Sequence, residues 1–341
     1  MKNLLIKMVK LREVTVILFI AVLFAFVGTV NPSFVSTSNI ALTLQNSVMY
    51  ILLAMGIYFV LISKEIDVSI GSTLGMSAAV SATLLREGRP LPVVIFFGIL
   101  VGAVIGLFNG IGVVKLRIPS IVMTLGTNGL VRGLMIVYTK GAWVENLPDY
   151  FKKASQAKLL GVNAYLVFVI LLILLISSYL RFAKKGRYFA AIGDNADGAN
   201  LIGIPVKSYK ILSFILAGVF ASLAGLVYTS QVGFVANVAG SGLEMTTIAA
   251  AVLGGVSLNG GIGSVFGASL GALLMTSINS ALVFLKIPAF WNNTISGLLL
   301  VIIVTADALI NRYFKNKAKQ EKLLKKTHSE NIVYEEKEVL S

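Results

Sequence analysis

Runs of predominantly apolar residues, each about 20 long and so able to cross a hydrocarbon core as a helix, recur along the chain with short polar or Gly/Pro punctuation between them. Spans are predicted at 14–30, 42–63, 67–85, 92–114, 119–138, 164–180, 210–230, 245–256, 262–284 and 289–310. The third and eighth differ from the rest. Both are rich in small residues, and the eighth is short enough for a broken or re-entrant helix that lines a cavity. A basic start (Lys2, Lys7, Lys10, Arg12) precedes the first span as it would a signal peptide, but no small-residue cleavage site follows, and Asn31-Pro32 reads as a turn. The expected fold is an all-α integral membrane protein of about ten transmembrane helices, some short or broken. Residues 1–13 and 311–341 flank a membrane domain at 14–310, with a loop at 181–210.

Composition agrees with this pattern. Of the 341 residues 57% are hydrophobic and 13% charged, about half the charge of a soluble domain. Lys and Arg number 29 against 15 acidic residues, and their placement explains the excess. With ten spans and the N-terminus inside, 21 basic residues fall in inside segments and seven in outside ones, while Arg132 lies within a span. The positive-inside rule therefore places both termini in the cytoplasm. The excess is topogenic, and no interleaving of basic and aromatic residues points to nucleic acid. The tail from Arg312 carries eight basic residues and five Glu, the makeup of a solvated helix beside anionic lipid.

Cysteine is absent, and the single histidine, His328, lies in the tail. A thiolate metal site, an intramembrane zinc site and a Ser-His-Asp triad are thereby excluded, and hydrolytic chemistry is disfavoured. The glycine-rich run Gly254–Gly263 lacks the lysine of a phosphate-binding loop. No nucleotide site is evident in the sequence, so if ATP powers the work of this chain, another chain must bind it.

Several segments are candidates for function. The basic loop 181–210 contains Gly186, Arg187, Asp194, Asn195, Ala199 and Gly203. Asp194 or Asn195 can cap a short helix there, and Gly203 followed by Pro205 can stop it. That helix would present Ala196 and Ala199 with Leu201 and Ile202, either to a groove on a cytoplasmic partner or to the headgroups. Glu65 and Asp67 sit at a seam between two apolar runs, where Lys64 can pair with one of them and Asp67 or Ser69 can cap the next helix. Arg132 falls near the outer end of its span, placed to snorkel or to serve the pathway. Asn46, Asn109, Thr124, Asn128 and Asn279 supply amides and a hydroxyl. These suit a neutral polyol and equally suit joining helices. Gly102/Gly106/Gly110 and Gly267/Gly271 have the four-residue spacing that lets helices approach closely.

Taken together, Glu65 to Ser72, Asn109-Gly110, Ile118-Pro119 with Thr124-Leu125-Gly126, Arg132-Gly133, Gly186-Arg187 to Gly203 and Leu243 to Gly263 resemble the permease subunits of bacterial ABC importers of the ribose/xylose/autoinducer-2 type. The likeness covers about residues 40 to 310 and is greatest to the autoinducer-2 branch. It is carried there by Leu53 to Gly56, Ile192 to Asn195, Gly240 to Met245 and Lys286 to Asn292. The resemblance implies a plasma-membrane transport subunit with no catalytic residue and no cofactor of its own. A cytoplasmic ATPase would bind ATP and dock on the loop at Gly186 to Gly203, a second related permease would form a heterodimer, and an extracytoplasmic binding protein would deliver the solute. Rhamnose, ribose or another monosaccharide is an alternative solute. An ion-coupled transporter using Asp67, Glu244 and Asp307 is a more distant alternative.

Overall fold

The computed structural model describes residues 12–288 and eight positions between 291 and 305. The chain divides into two compact units, residues 1–300 and 301–341. The elements of the first unit are α1 (Arg12–Val30), α2 (Thr37–Ile62), α3 (Ile70–Arg86), α4 (Leu91–Val114), α5 (Ser120–Thr139), α6 (Asp149–Ala154), a two-stranded antiparallel hairpin of β1 (Lys158–Leu159) and β2 (Val162–Asn163), α7 (Ala164–Phe182), α8 (Lys184–Asp194), α9 (Ala196–Leu201), α10 (Val206–Val232), α11 (Leu243–Leu253) and α12 (Val265–Phe284).

Among the described residues seven helices, α1, α2, α4, α5, α7, α10 and α12, are long and apolar enough to span a membrane. They coincide with seven of the predicted spans. The third and eighth spans are the shorter α3 and α11, of 17 and 11 residues, and both are largely buried. The tenth span lies mostly outside the described residues. At Asn31-Pro32 a single 3-10 turn, Pro32–Val35, reverses the chain, and the Asn31 side chain accepts from the Ser33 amide at 3.2 Å.

A helix apolar on all sides belongs in the centre of a bundle, and α2 fits that description. From Ser47 to Ile62 it is buried apart from Tyr50, with α10, α12 and α11 packed around it. By contrast α1, α4, α5 and α7 expose most of their apolar side chains. The glycine spacing acts as predicted. Gly102, Gly106 and Gly110 of α4 lie against the α10 backbone at Gly218, Phe214 and Ile211, and Gly267 and Gly271 of α12 lie against Gly254 and Ala250. A Cβ at any of these positions would collide with the facing helix.

The bundle has two distinct ends. One, the elbow end, carries α8 and α9. The other carries α6 and the β1–β2 hairpin, which tie down through Ser230 Oγ donating to the Phe151 carbonyl at 2.6 Å and Gln45 Nε2 donating to the Ser155 carbonyl at 3.1 Å.

Candidate functional site

Two helices are interrupted inside the bundle, and the polar candidates gather where they break. Between α2 and α3 the chain is non-helical from Glu65 to Ser69, so backbone groups there need partners. Asp67, 2% exposed, accepts from the Ser69 amide at 2.8 Å and from Ser69 Oγ at 2.6 Å. Asn109 Nδ2 donates to Ser69 Oγ at 2.8 Å, and Thr124 Oγ1 accepts from the Val68 amide at 3.1 Å. Asn109 and Thr124 are thus built into this seam, where they join α4 and α5 to the break. The anticipated helix cap takes a different form. Asp67 closes a turn ahead of α3, and the Ser69 side chain makes no cap bond of its own. Among the described residues no ion pair joins Lys64 to either carboxylate; its own φ is +64°, and Glu65 instead receives Lys210 Nζ of α10.

The second break precedes α11. Residues 233–242 return from the hairpin end, anchored by paired backbone bonds between Val144 and Val235 and by Trp143 stacked on Phe234. They then run beside α3, with Gly240 against Gly71. Gly242, at φ +82°, starts α11 within the bundle. Arg132 does not snorkel. Its guanidinium donates to the Gly240 carbonyl at 3.2 Å and to Glu244 at 3.3 Å, joining α5 to the start of α11. No spacing in the sequence announces this pair; the 3.3 Å contact and the low exposure of both side chains, 24% and 13%, make it one unit.

Asn46 and Asn279 meet elsewhere. They line a cavity of about 430 Å³ between α2, α10 and α12 near the hairpin end, with Asn39, Thr43, Tyr50, Gln231 and Ser280 around them. Asn128 stands apart on α5, with its Oδ1 buried and unpartnered among the described residues. The six candidates therefore fall into four places, not one.

At the elbow end, α8 folds back on α7 because Gly186 has no Cβ to strike the Tyr179 carbonyl. Asn195 ends α8 and caps α9, its side chain accepting from the Gly198 amide at 2.9 Å. Gly203, at φ +82°, ends α9 as predicted. Arg187 and Asp194 are exposed. Ala199 corrects an expectation. Instead of facing outward, it is 4% exposed and packs with Ile192 and Ile204 beneath Tyr188 and Tyr209. A six-residue helix gains stability by packing one face, and the small apolar Ala199 takes that face. Leu201 and Ile202 are left outside, 87% and 77% exposed.

Sequence reasoning missed what anchors this elbow. Gly193 sits directly on the Ile62 carbonyl at the end of α2 and on Gly261, whose amide donates to that same carbonyl at 3.0 Å. Gly193 and the Gly254–Gly263 run are thus two halves of one junction. Nearby, Ser264 Oγ donates to Glu13 of α1 at 2.8 Å.

A bundle of apolar helices, interrupted at two polar breaks and clamped at one end to an amphipathic elbow, is the build of a multi-pass membrane permease. Residues 39–304 match the family described as branched-chain amino acid transport system / permease component, and the chain belongs to that family. It is similar to the autoinducer 2 import system permease protein LsrC of Salmonella choleraesuis (strain SC-B67), 42% identical over 91% of this chain and 90% of the relative. The same protein of Escherichia coli (strain K12 / DH10B) is 42% identical over 91% of each chain. That of Enterobacter sp. (strain 638) is 43% identical over 89% of each. No solved structure matches the chain. The resemblance read from the motifs is borne out at the level of the family, and the chain is a transport component, not an enzyme.

Proposed function

We propose that the chain is a membrane subunit of an ABC importer that carries autoinducer-2, a small sugar-like solute, into a bacterial cell. The observation that carries the reading is the 42% identity to an autoinducer 2 import system permease over 311 residues, 91% of this chain. Ribose and rhamnose are the nearest alternative solutes. In this reading the elbow end faces the cytoplasm together with both termini, as the basic residues favour. A cytoplasmic ATPase seats on Leu201 and Ile202, with Gly186, Asn195, Ala199 and Gly203 shaping the elbow and Arg187 and Asp194 flanking it. A second related permease completes a heterodimer, and a binding protein docks at the hairpin end. This chain binds no cofactor, and ATP is held by the ATPase.

In this reading coupling follows the packing of the elbow. Force applied at α9 passes through the Ala199 packing to α8, and from Gly193 to the end of α2 and to the loop before α12. Because α2 is the central helix, tilting it shifts the bundle between outward and inward openings. ATP drives the cycle by binding one of the two states more tightly. The ion-coupled alternative is disfavoured because Asp67 and Glu244 are already engaged by Ser69 and Arg132, while Asp307 lies outside the described residues.

Deleting the chain from its native cell tests this reading. Uptake of labelled autoinducer-2 should disappear and return with the intact chain, whereas unchanged uptake would contradict it. For the elbow, Leu201→Glu with Ile202→Glu should abolish co-purification of the ATPase while the amount of chain in the membrane stays the same. Undiminished co-purification would show that the exposed tip is not the contact. Ala199→Arg is a different lesion, since it forces a charge into the elbow's own core and should expose α8–α9 to proteolysis.

A further inference from the structure

A second cavity, of about 360 Å³, lies at the elbow end and is lined by α1, α2, α7, α8 and the start of α12. Its charged walls are Arg181 of α7, Arg187 of α8 and Glu13 of α1. Glu13 accepts from the Ser264 hydroxyl at 2.8 Å, and among the described residues neither arginine pairs with an acid. Arg181 lies over the Phe182 ring at 5.5 Å, and neither guanidinium has a hydrogen bond among the described residues. A basic residue at the end of a span ordinarily snorkels alone into the headgroups. Here two, from helices that fold back on one another at Gly186, line one cavity. Lys184 and Lys185 lie between them in the chain, with no acid from 181 to 187, and such clusters beside a span attract anionic headgroups. Ile170 and Leu174 share one stripe of α7 with Ser177 and Arg181, by their spacing of four, three and four. Both are exposed, as is Phe266 at the cavity wall.

We propose that this cavity seats the headgroup of an anionic phospholipid, with Arg181 and Arg187 holding its phosphate and Ile170, Leu174 and Phe266 bordering its acyl chains. The guanidinium fork matches phosphate oxygens. Glu13 offsets one of the two positive charges and leaves a net positive wall, which favours a lipid of net negative charge. The ammonium of a zwitterionic lipid would instead face the arginines. A free phosphate would meet the same arginines but leave the apolar stripe of α7 bare, whereas a lipid covers both. The bound headgroup joins α7 to α8 across the Gly186 fold and so steadies the arm that carries α9. The site is independent of which solute the chain carries and of the ATPase.

The purified full chain in mild detergent, given equimolar phosphatidylglycerol and phosphatidylethanolamine, is read by native mass spectrometry. Phosphatidylglycerol should be retained in preference. Arg181→Gln and Arg187→Gln should each weaken its retention about tenfold, the worth of one charge-assisted contact, and both arginines are exposed, so glutamine leaves the packing intact. Lys184→Gln with Lys185→Gln, which removes two charges outside the cavity wall, should weaken retention about threefold at most. Equal losses in the arginine and lysine variants would mean a diffuse basic surface, and equal retention of the two lipids would mean that charge does not select. Either result overturns the site. Displacement of the lipid by inorganic phosphate at the same concentration would overturn the lipid assignment and give the arginines a soluble phosphate instead.

Discussion

Arg132→Met should destabilise the purified chain by about 3 kcal/mol, and adding Glu244→Met should recover most of the loss. Breaking a buried ion pair costs about 3–5 kcal/mol because the remaining charge is stranded, whereas replacing both partners with apolar groups is often neutral. The lower end applies here because Arg132 keeps some exposure. The pair joins α5 to the start of α11, and Arg132 also holds the Gly240 carbonyl beside α3, so the single variant should loosen both elements. Equilibrium unfolding in detergent of the two single variants and the double measures the coupling. Additive losses would mean that the charges do not act as a pair.

Gly218→Ala should be nearly as damaging, although it adds only a methyl group. Its Cβ would fall on the Gly102 carbonyl, in an interface where both helices meet backbone to backbone. No flexible side chain can move aside, so α4 and α10 must separate, at a cost of about 2 kcal/mol or more. Gly126→Ala is the matched control. Nothing lies within 4 Å of its Cβ, and alanine favours a helix by about 1 kcal/mol over glycine. Thermal stability of the two variants should therefore move in opposite directions. A shared loss would show that helix glycines matter here for some reason other than close approach.

Much of the fold was readable because a bilayer leaves a chain few options. Apolar length set the seven long helices, and glycine spacing set the α4–α10 contact, since both depend on residue identity along one helix. Asn195 and Gly203 were legible for the same reason, as local caps and stops. What could not be read depended on distant partners. Lys64 is placed by the sequence to pair with either Glu65 or Asp67, whereas Glu65 is met by Lys210, 145 residues away. Arg132 and Glu244 are separated by 112 residues, and nothing in either neighbourhood announces the other. Ala199 resembled a surface position because its helix is short and polar, but burial there was decided by Ile192 and Ile204. Asn46 and Asn279 share a cavity only because α2 and α12 pack together.

The central claim is that this bundle moves its solute when ATP acts through the elbow. The complex, reconstituted in vesicles with the elbow end accessible to added ATP and the binding protein supplied at the opposite face, tests it most directly. Labelled autoinducer-2 should cross toward the elbow end only with ATP, should be unaffected by collapse of ion gradients, and should stop with Leu201→Glu and Ile202→Glu. Transport that persists without ATP and ends when the ion gradient is removed would contradict the account.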